Sequence, residues 1–302
     1  MTAKAASGAR QFLDPALVAR IGNLELKARV IVEGFLQGLH RSPYRGFSVE
    51  FAEYRPYFPG DDPASIDWKV YARSDRYFVK TFEEETNLPC HLLLDVSQSM
   101  AYGSTGVTKL QYGTFLAGAL AYLLQRQRDA VGLVTFDRDV VSHMPPSTRP
   151  GHLRALLAVL ERMVPGTMSD FAKPLDRVAQ ALTRRGLVVV ISDLVDEPER
   201  VVEGLKHIRF RGMEVVVFHL LDPAELTFPF ERTSRFRDLE SGDEVNVTPH
   251  LARAAYLDRL NATMDFYRRA LRGSGVDYCQ LETSRPLDEA LLSYLSARRR
   301  FV

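Results

Sequence analysis

The sequence predicts an α/β fold in which a mostly parallel sheet is covered on both faces by helices. Three observations carry that expectation. Apolar runs of strand length, such as Leu92–Leu94 and Leu187–Ile191, alternate with longer segments whose apolar residues recur at helical spacing. The runs are continuous instead of alternating with polar residues, as in strands buried on both faces. From Pro89 onward, strand and helix follow one another in the order of parallel βαβ units.

Taken in order, the first element is a helix from Pro15 to about Leu39, with Leu17, Ile21, Leu24, Ala28, Ile31, Phe35 and Leu39 on one face. Asp14 is placed to cap it and Pro15 to occupy its first turn. His40 and Arg41 suit the C-terminal end of its dipole. After Pro43 the period changes: Phe47, Val49 and Phe51 alternate with Ser48 and Glu50, as in a half-buried strand. Pro59 to Pro63 reads as a turn, Tyr77–Phe82 as a strand, and Glu83-Glu84-Glu85 as its solvated end. Trp68, beside Asp67 in an alternating segment, is expected to be a buried anchor for these N-terminal strands on the main domain.

Strands are expected at His91–Asp95, Ala130–Phe136, Leu187–Ser192, Glu214–Leu220 and Asp277–Leu281, with Val140–Met144 as a short edge strand. Helices are expected at Lys109–Gln127, His152–Met163, Pro174–Arg184, Glu199–Phe210, Pro249–Arg272 and Pro286–Arg300. The stretch 222–247 breaks the rhythm and reads as a hairpin-bearing insertion. Two regions result: a helix and β-rich segment over 1–88, and an α/β domain over 89–302.

Composition narrows the function. Lys+Arg 39 against Asp+Glu 38 gives a net charge of +1, which does not indicate wholesale attraction to nucleic acid or anionic membrane. The two cysteines, Cys90 and Cys279, are too few and too far apart for a disulfide or metal framework. Met1 to Arg10 has no apolar core of signal-peptide length, and no window approaches the roughly 18 uninterrupted apolar residues of a membrane span. The expectation is a cytoplasmic chain.

The chemistry concentrates where strands should end. Asp95-Val96-Ser97-Gln98-Ser99 sets a carboxylate and two hydroxyls at alternate positions after an apolar run. Asp193 ends a second run, and Thr167 and Ser169 lie on a loop between the two. In an open parallel sheet, ligands gather beyond the carboxyl ends of strands. Oxygens of this kind suit a hard cation such as Mg²⁺, or Mn²⁺ in its place. Neutral hydroxyl donors leave the ion much of its positive charge, so it still attracts an outside anion. A Glu or Asp side chain of a partner protein is the natural one.

These residues resemble the metal-ion-dependent adhesion site of von Willebrand factor A domains, which implies a Rossmann-like, three-layer α/β fold of that type. A second, longer signature is similar to the bacterial family catalogued as domain of unknown function 58. It runs through Phe47-Ser48-Val49-Glu50-Phe51, Arg55-Pro56-Tyr57, Pro59-Gly60-Asp61-Asp62, Ile66-Asp67-Trp68, Ala72-Arg73 and Val79 to Glu85. The resemblance implies that Asp95, Ser97 and Ser99 form the first metal motif and Asp193 the third. For the second motif, counting back from Leu175 selects Ser169, whereas matching Gly166 selects Thr167; the helix register favours Ser169. The resemblance also implies a partner, a MoxR-type AAA+ ATPase, and a role in assembling or maturing protein complexes. Many family members carry an N-terminal pair of membrane helices that this sequence lacks.

The reading is therefore a non-enzymatic, Mg²⁺-dependent protein-binding module. The alternative is a metal-dependent phosphohydrolase with Asp95 as nucleophile. That chemistry needs a second acidic residue for proton transfer, but Ser97 stands two residues on and no lysine partner is evident at a strand end. Gly103 to Lys109 lacks Walker A spacing and reads as a flexible turn before a helix. His91, His143, His152, His207, His219 and His250 show no paired metal spacing and read as structural or surface residues.

Overall fold

The computed structural model describes residues 14–41, 54–57, 68, 71, 76–80, 89–166, 170–182, 184–239 and 242–298. The chain divides into two compact units, one of residues 39–87 and one of the remainder. In the smaller unit, β1 (Tyr54–Pro56) pairs antiparallel with β2 (Phe78–Lys80). Tyr71 stacks on Tyr77 with ring centroids 4.6 Å apart, and Trp68 meets Tyr71 edge-on. Trp68 is 58% exposed, so it is not the buried anchor the sequence suggested. The expected strand at 47–51, the turn at 59–63 and the acidic triplet at 83–85 lie outside the described residues.

In the larger unit the N-terminal helix is broken. Helix α1 (Pro15–Ala19) is capped by Asp14, whose carboxylate accepts from the Ala16 amide at 2.8 Å. Helix α2 (Leu24–Arg41) starts afresh because Asn23 accepts from the Leu26 amide at 2.8 Å, a cap that the continuous apolar spacing disguised. The face Leu24, Ala28, Ile31, Val32 and Phe35 is buried as expected of an amphipathic helix.

The remaining elements alternate. They are β3 (Cys90–Asp95), α3 (Lys109–Arg126), β4 (Val131–Phe136), β5 (Val140–Ser147), α4 (His152–Glu161), α5 (Ala172–Ala181), β6 (Leu187–Ser192), α6 (Pro198–Phe210), β7 (Glu214–Leu221), α7 (Pro223–Thr227), β8 (Ser234–Arg237), β9 (Glu244–Val247), α8 (Pro249–Arg272), β10 (Asp277–Glu282) and α9 (Asp288–Arg298). The central sheet has the order β10-β7-β6-β3-β4-β5, and all its pairs are parallel except β4 with β5. β8 and β9 form a separate antiparallel pair. Edge strand β5 continues through Pro145 and Pro146, beyond its expected end at Met144, because an edge tolerates a residue that cannot donate.

Both faces of the sheet are covered, as the continuous apolar strands required. Leu93, Val188, Val190, Val215 and Val217 pack with Leu175 of α5, Leu205 of α6 and Leu271 of α8. On the other face α3 lies close to the strands. A Cβ on Gly113 would meet Leu94 at 3.0 Å, Ile191 at 3.2 Å and Leu220 at 3.3 Å. This is the three-layer α/β architecture expected from the sequence, with the strand order of a doubly wound sheet. Among the described residues no helix is long and apolar enough to cross a membrane.

Candidate metal centre

The chain runs from β3 to β4 on one side of the sheet and returns to β6 on the other. The crevice beyond the carboxyl ends of β3 and β6 is therefore the topological switch point, where open α/β sheets place ligands. Asp95 is the last residue of β3, and Asp193 directly follows β6. Register pairs Leu94 with Ile191, which sets Asp95 opposite Ser192. Both aspartates are buried.

The backbone after β3 is held so that its polar groups converge. Asp95 Oδ1 accepts from the Ser97 amide at 2.8 Å, and Ser97 Oγ lies 3.0 Å from Ser99 Oγ within a short turn, Gln98–Ala101. Asp95 Oδ2 accepts from Ser192 Oγ at 2.6 Å. Burial first, and the neighbouring Asp193 charge second, push the Asp95 carboxyl up to about 7 against the opposing pull of these hydrogen bonds.

The backbone after β6 is more unusual. Leu194, a buried non-glycine residue, adopts φ 53°, in the left-handed region that costs a branched side chain strain. Its amide donates to Ser192 Oγ at 2.9 Å, and its carbonyl accepts from Tyr267 Oη at 3.2 Å. His219 Nε2 lies 2.9 Å from the Asp193 carbonyl, and Nδ1 lies 2.6 Å from Tyr278 Oη. Burial pulls the His219 pKa down to about 4, so the ring is neutral near pH 7; Nε2 donates to the carbonyl and Nδ1 accepts from the tyrosine. Four surrounding groups thus fix the turn that presents Asp193.

Lys109 completes the cluster, and the sequence reading missed it. It is buried at the first position of α3, with Nζ 2.7 Å from Asp193 Oδ2 and 2.7 Å from Glu225 Oε1. Burial lowers its pKa, but the two carboxylates outweigh that and raise it, so it is an ammonium. A lysine does stand at the strand ends, contrary to the expectation. The only available signal was its place at a helix start after the Thr108 cap. The turn before it is not free either. Ser104 donates its amide to Asp222 at 2.8 Å and its hydroxyl to the same carboxylate, and a Cβ on Gly103 would strike the Val107 carbonyl at 2.5 Å.

The structure thus brings Asp95, Ser97, Ser99 and Asp193 to one crevice. Thr167 and Ser169 lie outside the described residues, but the chain on either side of them is anchored there. The Gly166 amide donates to the Val96 carbonyl at 2.6 Å, and the Phe171 amide to Asp196 at 2.9 Å. Gly166 is closely surrounded: a Cβ would lie 3.2 Å from the Val96 carbonyl and would push the Asp137 carboxylate aside. The histidines do not form a metal cluster; among the described residues no three His, Cys, Asp or Glu side chains do. Neither Cys90 nor Cys279 is in a disulfide bond.

Whether these residues fit a divalent cation is a question of charge and unmet donors. Asp193 Oδ1 is buried and accepts no hydrogen bond, and Oδ2 is met only by the Lys109 ion pair. Asp95, Asp193 and Glu225 outnumber the single ammonium among them. The orphaned carboxylate of Asp193 acts electrostatically on Asp95, and the Ser97 and Ser99 hydroxyls follow Asp95 on the same turn; oxygens of this kind are a donor set that a hard cation satisfies. The residues fit.

The model of the family described as "Protein of unknown function DUF58" matches residues 53–264. An uncharacterised protein of Mycobacterium tuberculosis is 29% identical over 296 residues, covering 95% of this chain and 91% of that protein. Among solved structures, the conserved hypothetical protein BatB from Bacteroides thetaiotaomicron has a TM-score of 0.47 and 17% identity, covering 70% of this chain and 99% of its own. The VWA domain of SpRpn10 has a TM-score of 0.37 and 13% identity over 68% of this chain and 93% of its own.

Proposed function

The chain belongs to the DUF58 family, and from that premise we propose that it is a non-enzymatic protein-binding module whose crevice takes Mg²⁺ or Mn²⁺. Asp95, Ser97, Ser99 and Asp193 would hold the ion, with Thr167 or Ser169 supplied by the neighbouring loop. The bound ion would supply an open coordination position of residual positive charge, and a Glu or Asp side chain of a protein partner would fill it. The observation that carries this reading is the buried, electrostatically coupled Asp95–Asp193 pair, in which Asp193 Oδ1 accepts no hydrogen bond and Asp95 is followed by the paired hydroxyls of Ser97 and Ser99.

The family resemblance suggests a MoxR-type AAA+ ATPase as the partner and the assembly or maturation of protein complexes as the setting. The phosphohydrolase alternative gains Lys109 at the strand ends. Lys109 pairs with Asp193 and Glu225, however, while both oxygens of Asp95 are engaged by Ser97 and Ser192. Lys109 is thereby tied up in two ion pairs and is not available to a leaving group, which favours the binding reading.

The test is a calorimetric titration with Mg²⁺ and Mn²⁺. The wild-type chain should bind one ion and Asp95→Ala should not. Absence of any response in the wild type contradicts the proposal, and metal-dependent phosphoester turnover lost with Asp95→Asn would favour the enzyme instead.

A further inference from the structure

Lys109 occupies a position that two general effects oppose. Its side chain is 2% exposed, where a lysine is seldom found unless it is paired. It also stands at the first residue of α3, the positive end of a helix dipole, where a cation is disfavoured. The carboxylates of Asp193 and Glu225, both at 2.7 Å, offset these costs. Glu225 is itself fixed: its Oε2 accepts from the Asp222 amide at 2.7 Å in the capping box of α7. Asp222 in turn holds Ser104 on the turn that leads into α3. Lys109 is thus suspended between one acid facing the crevice and one acid on the segment leaving β7.

Asp193 is divided by this pairing. Its Oδ2 faces the ammonium, whereas Oδ1 is buried without a hydrogen-bond partner. We propose that Lys109 is a tethered cation that competes with the divalent ion for Asp193. How Lys109 is shared between Asp193 and Glu225 would then set the ion affinity of the crevice. The inference rests on the metal reading above and adds its regulation. With Lys109 on one oxygen, Asp193 offers the ion a single oxygen, so its charge is incompletely neutralised and its grip on an anionic partner is stronger. Releasing Lys109 would make the site bind its ion more tightly and its partner less so.

Mn²⁺ affinity, read by calorimetry and by the loss of free Mn²⁺ signal in electron paramagnetic resonance, tests this on three full-length proteins. Lys109→Met removes a charge like the ion's own, 2.7 Å from the Asp193 carboxylate, and should bind Mn²⁺ roughly 10-fold more tightly than wild type. Glu225→Gln loosens the outer anchor, leaves the ammonium wholly to Asp193, and should bind more weakly. A lysine that merely props the crevice would weaken binding in both variants, so the opposite directions are diagnostic. Folded Lys109→Met with affinity equal to or below that of the wild type overturns the inference while leaving the metal reading intact. If Lys109→Met does not fold, Lys109→Gln, which keeps a hydrogen-bonding group without the charge, takes its place and should still bind Mn²⁺ more tightly than wild type; equal or weaker binding overturns the inference. Mn²⁺ binding by Lys109→Met but not by wild type supports the tethered cation and removes the metal reading for the native chain. Binding by neither overturns both.

Discussion

Ser192 Oγ donates to Asp95 Oδ2 across 2.6 Å, and the same oxygen accepts from the Leu194 amide at 2.9 Å. One hydroxyl therefore links the carboxylate ending β3 to the strained turn that presents Asp193. The carboxyl ends of β3 and β6 are joined by a side chain as well as by the sheet ladder.

Ser192→Ala should accordingly cost more than an average buried hydroxyl, because it strands the Leu194 amide along with removing a donor from Asp95. We expect about 1–3 kcal/mol of lost stability in urea unfolding. Mn²⁺ affinity should fall by roughly 10-fold or more, as for other groups that orient a ligand without touching the metal. A variant with native stability and unchanged affinity would show that the hydroxyl orients nothing.

Gly113→Val tests the contact that seats α3. The added side chain meets Leu94, Ile191 and Leu220 together, three residues on three adjacent strands. Overpacking of this kind costs about 1–3 kcal/mol. Because Lys109 opens the same helix, the variant should also change Mn²⁺ affinity, although the substitution faces the sheet and not the crevice. A melting temperature within error of the wild type would contradict the close packing of α3.

His91 makes a pH prediction away from the crevice. Burial first, and the neighbouring His143 second, hold its pKa down at about 4, against an ordinary value near 6.5. The unfolded chain thus takes up a proton at this side chain before the folded one does. The sign follows: stability from this group is intact above about pH 6.5, declines as pH falls, and stops declining near pH 4. His91→Gln should flatten the fall in stability across that window relative to the wild type. Parallel stability curves for the two proteins would refute the assignment.

The parts of the fold legible in the sequence were those with local causes. The buried strands announced themselves as apolar runs because both faces of the sheet are covered. Asp95, Ser97, Ser99 and Asp193 were legible because polar residues directly after such runs must lie at strand ends. The break at Asn23 was missed because apolar spacing continues across it, so only the cap distinguishes two helices from one. Ser192 and Lys109 were missed for a different reason. Ser192 reads as the last residue of a strand, and Lys109 as a residue after a turn. Their partners, Asp95 and Asp193, are remote in sequence and meet them only when β3 and β6 pair and α3 lies down on the sheet. Trp68 shows the converse error, since a lone large aromatic in an alternating segment suggested burial that the structure does not give it.

A divalent ion held in this crevice would be directly visible. Crystals of the full-length chain grown with Mn²⁺ would reveal it through the anomalous scattering of the metal. One strong peak is expected between Asp95, Ser97 and Ser99, with ligand oxygens at about 2.1 Å and Asp193 bound directly or through water. A well-ordered crevice with no peak at saturating Mn²⁺, or a peak only at other residues, would contradict the metal reading.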